Sequence, residues 1–370
     1  MVEYAKYELK NVCSRLSSGK SISSKMISEE GRYPVYGGNG LRGYTDHSNF
    51  SGDCAIIGRQ GAFCGNVRYF CGEAYMTEHA VIVCANNLNN THYLAYLLST
   101  MNLGRLSGQS AQPGLSVKTL GIQEIMLPSI EYQNKVVALL SSLDEKIAVN
   151  NNINDNLYAQ AKAIFDNHFI NIDAIPAGWR KGNLLDIANY LNGLAMQKFR
   201  PQGHEIGLPV LKIKELRQGS CDDSSELCSL SIKPEYIIHN GDVVFSWSGS
   251  LLVDIWCGGT CGLNQHLFKV TSDVYDKWFY YLWTAHHLAR FIAIAADKAT
   301  TMGHIKREEL AKAEVLIPCE EDYTSFNSIM QPIFELIISN RIESRKLAAL
   351  RDELLPKLMT GEIDVSDVQL

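Results

Sequence analysis

The chain contains no run approaching the roughly 18 consecutive apolar residues that a bilayer crossing needs. Its opening, MVEYAKYELK, lacks both the basic start and the apolar stretch of a secretion signal, so a cytoplasmic protein without membrane contact is expected. The ten cysteines form no CxxC pair, with Cys64 to Cys71, Cys221 to Cys228 and Cys257 to Cys261 as neighbouring spacings, so packed free thiols are expected and no metal site. There is no GxxxxGK[ST] phosphate loop, no GxSxG elbow and no HExxH helix. With no such nucleophile, base or metal constellation, catalytic residues are expected to be absent and binding is the function class that remains. Charge is also modest, at 20% charged residues and a net −6. The acid is unevenly placed: residues 1–130 carry +2, 131–175 carry −3, 176–320 carry −1 and 321–370 carry −4. A near-neutral first third permits nucleic-acid binding without announcing it.

What the chain does have is size, an ordinary 46% hydrophobic fraction and internal repetition. At 370 residues it exceeds a single core, so at least two domains are expected. Tyr7-Glu8-Leu9-Lys10-Asn11-Val12 followed by Ser18-Gly19-Lys20 is answered by Trp179-Arg180-Lys181-Gly182-Asn183-Leu184 followed by Asn192-Gly193. Gly52-Asp53 before an apolar strand matches Gly241-Asp242, Glu78-His79 matches Gln265-His266, and Glu124-Ile125-Met126-Leu127-Pro128 matches Glu314-Val315-Leu316-Ile317-Pro318. Matches in constant order, at an offset near 190, mark a duplication.

Each copy runs into a long heptad pattern. Val136, Leu140, Leu143, Ile147, Asn150, Asn154, Leu157, Ala161 and Ile164 form one a/d seam, and the same offset gives Phe326, Met330, Ile333, Ile337, Asn340, Ser344, Leu347, Arg351 and Leu354. Helix pairing is assigned to Leu143, Ile147, Asn150 and Leu157 against Ile333, Ile337, Asn340 and Leu347. An antiparallel pair about a pseudo-two-fold axis is expected to bring Asn150 close to Asn340. Pro356 is expected to interrupt the second helix and Gly361 to end it. The fold class is therefore α+β: globule 1–130, helix 131–172, globule 173–320, helix 321–370, with the two similar globules separated by two long antiparallel coiled-coil helices.

Gly38-Asn39-Gly40-Leu41-Arg42-Gly43 fits GxGxxG, but polar, turn-like Tyr44 to Asn49 follows where a dinucleotide site needs a helix, so a surface loop presenting Arg42 is the better reading. His79 and His266 recur without further ligands at metal spacing and read as structural. His286-His287 lies on a helix expected over Trp278 to Ile294. Polar runs, Ser107 to Gly114 and Asp297 to His304, recur where each globule turns toward its helix and suit base or phosphate contacts.

Tyr33-Pro34-Val35-Tyr36-Gly37-Gly38-Asn39-Gly40, Ile125-Met126-Leu127-Pro128, the helix Leu139 to Ile147 with Asn150 and Asn154, and the terminal Leu354-Leu355-Pro356-Lys357-Leu358-Met359-Thr360-Gly361-Glu362-Ile363 together resemble the specificity subunit of type I restriction-modification systems. The likeness spans nearly the whole chain. It implies two target-recognition domains that each read half of a bipartite site in double-stranded DNA, with the helices setting the spacing. It also implies two docked modification subunits, and restriction subunits through them. No cofactor is expected on this chain, since S-adenosylmethionine and ATP belong to those partners, and no Asn-Pro-Pro-aromatic methyltransferase motif occurs here. A scaffold that only assembles protein partners is the alternative. Gly114-Leu115-Ser116 departs from the Asn-Ile-Ser-like run usual at that place, and the two globules differ enough that unlike half-sites are expected. Under this resemblance the DNA contacts fall on Lys20, Arg42, Arg59 and Gln109 in the first globule and Lys198, Lys212, Lys298 and Thr301 in the second.

Overall fold

The computed structural model describes residues 2–107, 114–297 and 305–368. Its contacts divide the chain into two units, residues 1–145 with 348–370, and residues 146–347. Each unit thus contains part of both long helices.

The first unit contains strands β1 (Ala5–Glu8), β2 (Cys13–Ser18), β3 (Tyr33–Gly37), β4 (Gly40–Thr45), β5 (Phe50–Gly58), β6 (Val67–Met76) and β7 (Ala80–Ala85), then α1 (Thr91–Ser99), α2 (Val117–Gly121), β8 (Glu124–Leu127) and the start of α3 (Ile130–Phe165). Six strands form a sheet in the order β2-β7-β5-β6-β3-β4, antiparallel apart from the β3·β6 pair, and β1 pairs with β8 as a separate ribbon. The apolar run of β5 is buried on both faces. Ala55 and Ile57 pack on Tyr93, Leu94 and Leu98 of α1, whereas Cys54 and Ile56 pack on Met76 and Ile82. Asn90 caps α1, its side-chain oxygen accepting from the His92 and Tyr93 amides at 2.8 and 3.1 Å.

The second unit repeats this plan with substitutions. It comprises β9 (Arg180–Asn183), α4 (Leu184–Ile187), β10 (Asn189–Asn192), β11 (Leu208–Leu211), α5 (Ile213–Gln218), β12 (Leu227–Cys228), β13 (Ile237–Ile238), β14 (Val243–Ser246), β15 (Leu252–Ile255), β16 (Cys261–Leu263), β17 (Leu267–Thr271), α6 (Lys277–His286), α7 (Leu288–Asp297), α8 (Arg307–Ala311), β18 (Glu314–Ile317) and the start of α9 (Glu320–Thr360). β14 alternates as β5 does, Val243 and Phe245 joining the aromatic core of α6 while Val244 faces Trp256 and Leu263. The β9·β18 ribbon answers β1·β8. A second sheet, β12-β11-β16-β13, replaces the β3–β4 hairpin. All ten cysteines are free thiols.

Every seam position of α3 and α9 is buried or half-buried, so the heptad reading gave the right faces. The register differs from expectation. Asn154 accepts from the Asn340 amide at 3.0 Å, and Asn150 donates to Glu343 at 2.7 Å and Ser344 at 3.3 Å. The 190-residue offset maps Asn150 to Asn340 and Asn154 to Ser344, so these two contacts are one contact met twice. The local two-fold passes between the layers, and each Asn meets the equivalent of its neighbour one turn on.

Three local expectations also change. The helix at Trp278–Ile294 is two helices broken at His287, whose ring bonds the Glu314 carbonyl at 2.8 Å. α9 continues through Pro356 to Thr360, because Leu354, Leu355, Leu358 and Met359 on either side pack into the core and outweigh the lost hydrogen bond. Arg42 and Gly43 lie on strand β4, paired with β3, instead of on a loop.

Candidate nucleic-acid interface

The strongest trace of duplication is a hydrogen-bond frame made by residues far apart in sequence. In the first unit Gly19, just after β2, donates to the Ala80 carbonyl at 3.0 Å, and Lys20 donates to the Met76 carbonyl at 3.0 Å. Arg59, just after β5, donates through its backbone to the His79 carbonyl at 3.0 Å and accepts from the Leu115 amide at 2.8 Å. In the second unit Gly193 donates to Leu267 at 3.0 Å, Leu194 to Leu263 at 3.0 Å, and Trp247 bonds the His266 carbonyl at 3.4 Å and the Ile305 amide at 3.1 Å. Both glycines are required by close approach: a Cβ at Gly19 would lie 2.2 Å from the Met76 carbonyl oxygen, and one at Gly193 2.3 Å from that of Asn264. The two histidines are anchored alike, His79 Nδ1 at 3.1 Å from Gln60 Oε1 and His266 Nδ1 at 3.0 Å from Ser248 Oγ. They hold the frame together, and no group of three metal-ligating side chains exists among the described residues.

Around the frame of the first unit, cations gather. The β3–β4 turn, Gly37 to Gly40, packs closely on it, since a Cβ at Gly38 would sit 2.8 Å from the His79 carbonyl oxygen. Gly40 has φ of +101°, and its missing Cβ leaves room for the Arg68 guanidinium, whose carbon such an atom would approach to 3.2 Å. Arg42 lies against Gly37 in the same manner, its Cδ 2.8 Å from where a Cβ would stand. The Arg42 and Arg68 side chains therefore lie against one glycine turn, the Arg59 backbone nitrogen approaches it, and Lys20 is tied to the adjoining frame by its backbone; no carboxylate is within ion-pair distance of any of the four among the described residues. Thr77, buried beside this turn, leaves its hydroxyl without a partner. Unneutralised guanidinium groups on a rigid sheet suit phosphate oxygens and the N7/O6 edge of guanine.

The second unit is less openly basic. Lys212 is half-buried and its ammonium bonds Glu226, which also takes Arg200 at 2.7 Å. The Lys212 hydrogen bond is the main cause holding the Glu226 carboxyl below its ordinary range. Lys198 ends an exposed helical turn next to Met196, which packs beneath β16. Lys306 and Arg307 follow directly on Ile305, with the Arg307 Nη1 3.5 Å from the Tyr190 carbonyl oxygen.

Residues 1–159 match the family model for the type I restriction modification DNA specificity domain. The MjaIX specificity subunit of Methanocaldococcus jannaschii is 28% identical over 307 residues, covering 75% of this chain and 70% of that one. The first part of the chain thus resembles that domain, and most of its length resembles a type I specificity subunit. The EcoprrI specificity subunit of Escherichia coli is 40% identical over 134 residues, or 35% of this chain and 33% of its own. The crystal structure of an S subunit from M. genitalium matches 96% of both chains with a TM-score of 0.62 at 15% identity, so the fold is shared.

These likenesses support DNA recognition as the role of this chain. Of the residues assigned from sequence, Arg42 lies against the glycine turn that the Arg59 backbone approaches, Lys20 is bound to the frame through its backbone, and Lys198 and Lys212 stand on separate elements. Gln109, Lys298 and Thr301 lie outside the described residues. Arg68 beside the turn and Trp247 in the frame were not among the residues assigned from sequence. The signal for Arg68 was a glycine 28 positions away in the sequence; that for Trp247 was its alignment with Arg59, one step after a strand already matched.

Proposed function

We propose that this chain is the non-catalytic reader of a split DNA target in a cytoplasmic restriction-modification complex, each unit reading one half and the paired helices serving as spacer. The observation that carries this is the duplicated frame, identical in its backbone bonds and different in the side chains it presents, Arg59 against Trp247. Two copies of one frame fit two half-sites, and unlike side chains fit unlike sequences. Modification subunits bearing S-adenosylmethionine would supply adenine methylation, and ATP-dependent restriction subunits would join through them. The test is to purify the chain with its neighbouring modification subunit, methylate genomic DNA and locate modified adenines by single-molecule sequencing. A motif of two unlike halves at fixed separation is expected. A stable complex that leaves DNA unmethylated, or that marks one continuous motif, overturns the proposal.

A further inference from the structure

Both backbone polar groups of residue 59, and both of its counterpart 247, are committed to the frame. Their positions are therefore fixed by main-chain bonds whatever side chain they carry. The side chains also lean the same way. Arg59 Nη1 lies 3.4 Å from Ser18 Oγ, and Trp247 Nε1 donates to Asn192 Oδ1 at 2.9 Å, residues 18 and 192 each preceding the frame glycine. Both side chains are half-buried, with part of their surface at solvent. The chemistry they offer outward is opposite in kind. A guanidinium has five N–H donors, and only one of Arg59's meets Ser18. An indole has a single donor, which Trp247 gives to Asn192, so toward a ligand it offers ring carbon next to His266 and Phe268.

We propose that this node is a specificity-determining position of each half: Arg59 selects its base by hydrogen bonds, and Trp247 selects its base by apolar contact. The inference rests on the DNA-reading function proposed above. The Arg59 guanidinium, with four N–H donors beyond the one that meets Ser18, fits the paired acceptors of guanine in the major groove. Trp247 fits a thymine methyl, which is the one apolar group a base edge displays there. The two halves therefore discriminate by different forces at equivalent points of one scaffold.

The test selects sequences from a randomised duplex DNA library with the full chain, comparing wild type with Arg59→Trp and Trp247→Arg. Arg59→Trp is expected to abolish a guanine preference in one half-motif, a loss of roughly 5- to 100-fold in discrimination, and to leave the other half unchanged. Trp247→Arg is expected to alter only the other half. Arg59→Lys and Trp247→Phe keep charge and ring respectively and guard against misfolding; Trp247→Phe is expected to retain the wild-type motif. Half-motifs that survive both exchanges at wild-type affinity overturn the node while leaving DNA reading intact. A wild-type chain that selects no sequence overturns the reading function itself and the node with it.

Discussion

The first and second units solve one structural problem with different surface chemistry. Around the first frame, Lys20, Arg42, Arg59 and Arg68 lie without carboxylate partners among the described residues. Near the second, Glu226 binds both Lys212 and Arg200, and an indole takes the place of Arg59. The long helices show the same contrast. In the first unit α3 and α9 are joined by Asp144 and Arg351 at 2.6 Å, with the Tyr96 hydroxyl on the same carboxylate at 2.5 Å. The positions equivalent by the 190-residue offset are Phe334 and Ala161, both in the apolar core of the second unit. A duplicated backbone therefore does not force duplicated energetics: burial and hydrogen-bond geometry are kept, and polar chemistry drifts.

The largest effect should come from breaking what the units share. Gly19→Ala and Gly193→Ala each press a methyl against a carbonyl oxygen and are expected to destabilise their own unit by about 3 kcal/mol in urea unfolding. A marked effect at one site only would mean that the frame is not common to both. Next is the exchange of helix chemistry. Arg351→Ala alone strands a half-buried Asp144 and is expected to cost about 2 kcal/mol, whereas Asp144→Phe with Arg351→Ala, copying the second unit, should recover most of that loss. If the double variant is no better than the single one, ion pair and apolar contact are not interchangeable here.

A smaller effect separates open from tied cations. Arg68→Ala and Arg42→Ala are each expected to weaken DNA binding by roughly tenfold and, where they contact phosphate, to reduce the salt slope by about 0.9, whereas Lys212→Ala should do much less and Lys346→Ala nothing. Equal losses at Arg68 and Lys212 in a gel-shift titration would erase the contrast. Smallest of all, Glu226→Gln frees Lys212 and Arg200 and should raise DNA affinity by about two- to threefold. Its stability effect has a definite sign. The Glu226 carboxyl is lowered in the folded chain, so its contribution is present above the ordinary glutamate range and lost as pH falls through the folded value. Wild type and Glu226→Gln should then differ at neutral pH and converge in acid.

Much of this was legible in the chain because it depends on periodicity. Heptad spacing identifies the buried face of α3 and α9 from Val136 to Leu354, and Gly52-Asp53 against Gly241-Asp242 marks the strand that crosses each core. Periodicity is silent about translation along the axis, which is why Asn154, and not Asn150, meets Asn340. Arg68 escaped notice because its place is set by the absent side chain of Gly40, a relation between strands that no local window contains. Trp247 reads from sequence as one more core aromatic; only the bonds of its backbone show that it stands where Arg59 does.

The frame also says something about how such a protein can change over generations. Its fixed parts are two glycines with no room for a side chain and a set of main-chain bonds indifferent to residue type. One codon can therefore alter the outward group at position 59 or 247 without rebuilding the scaffold. On the proposal that these positions read bases, a lineage of such chains acquires new targets by single substitutions, provided that the glycines never move.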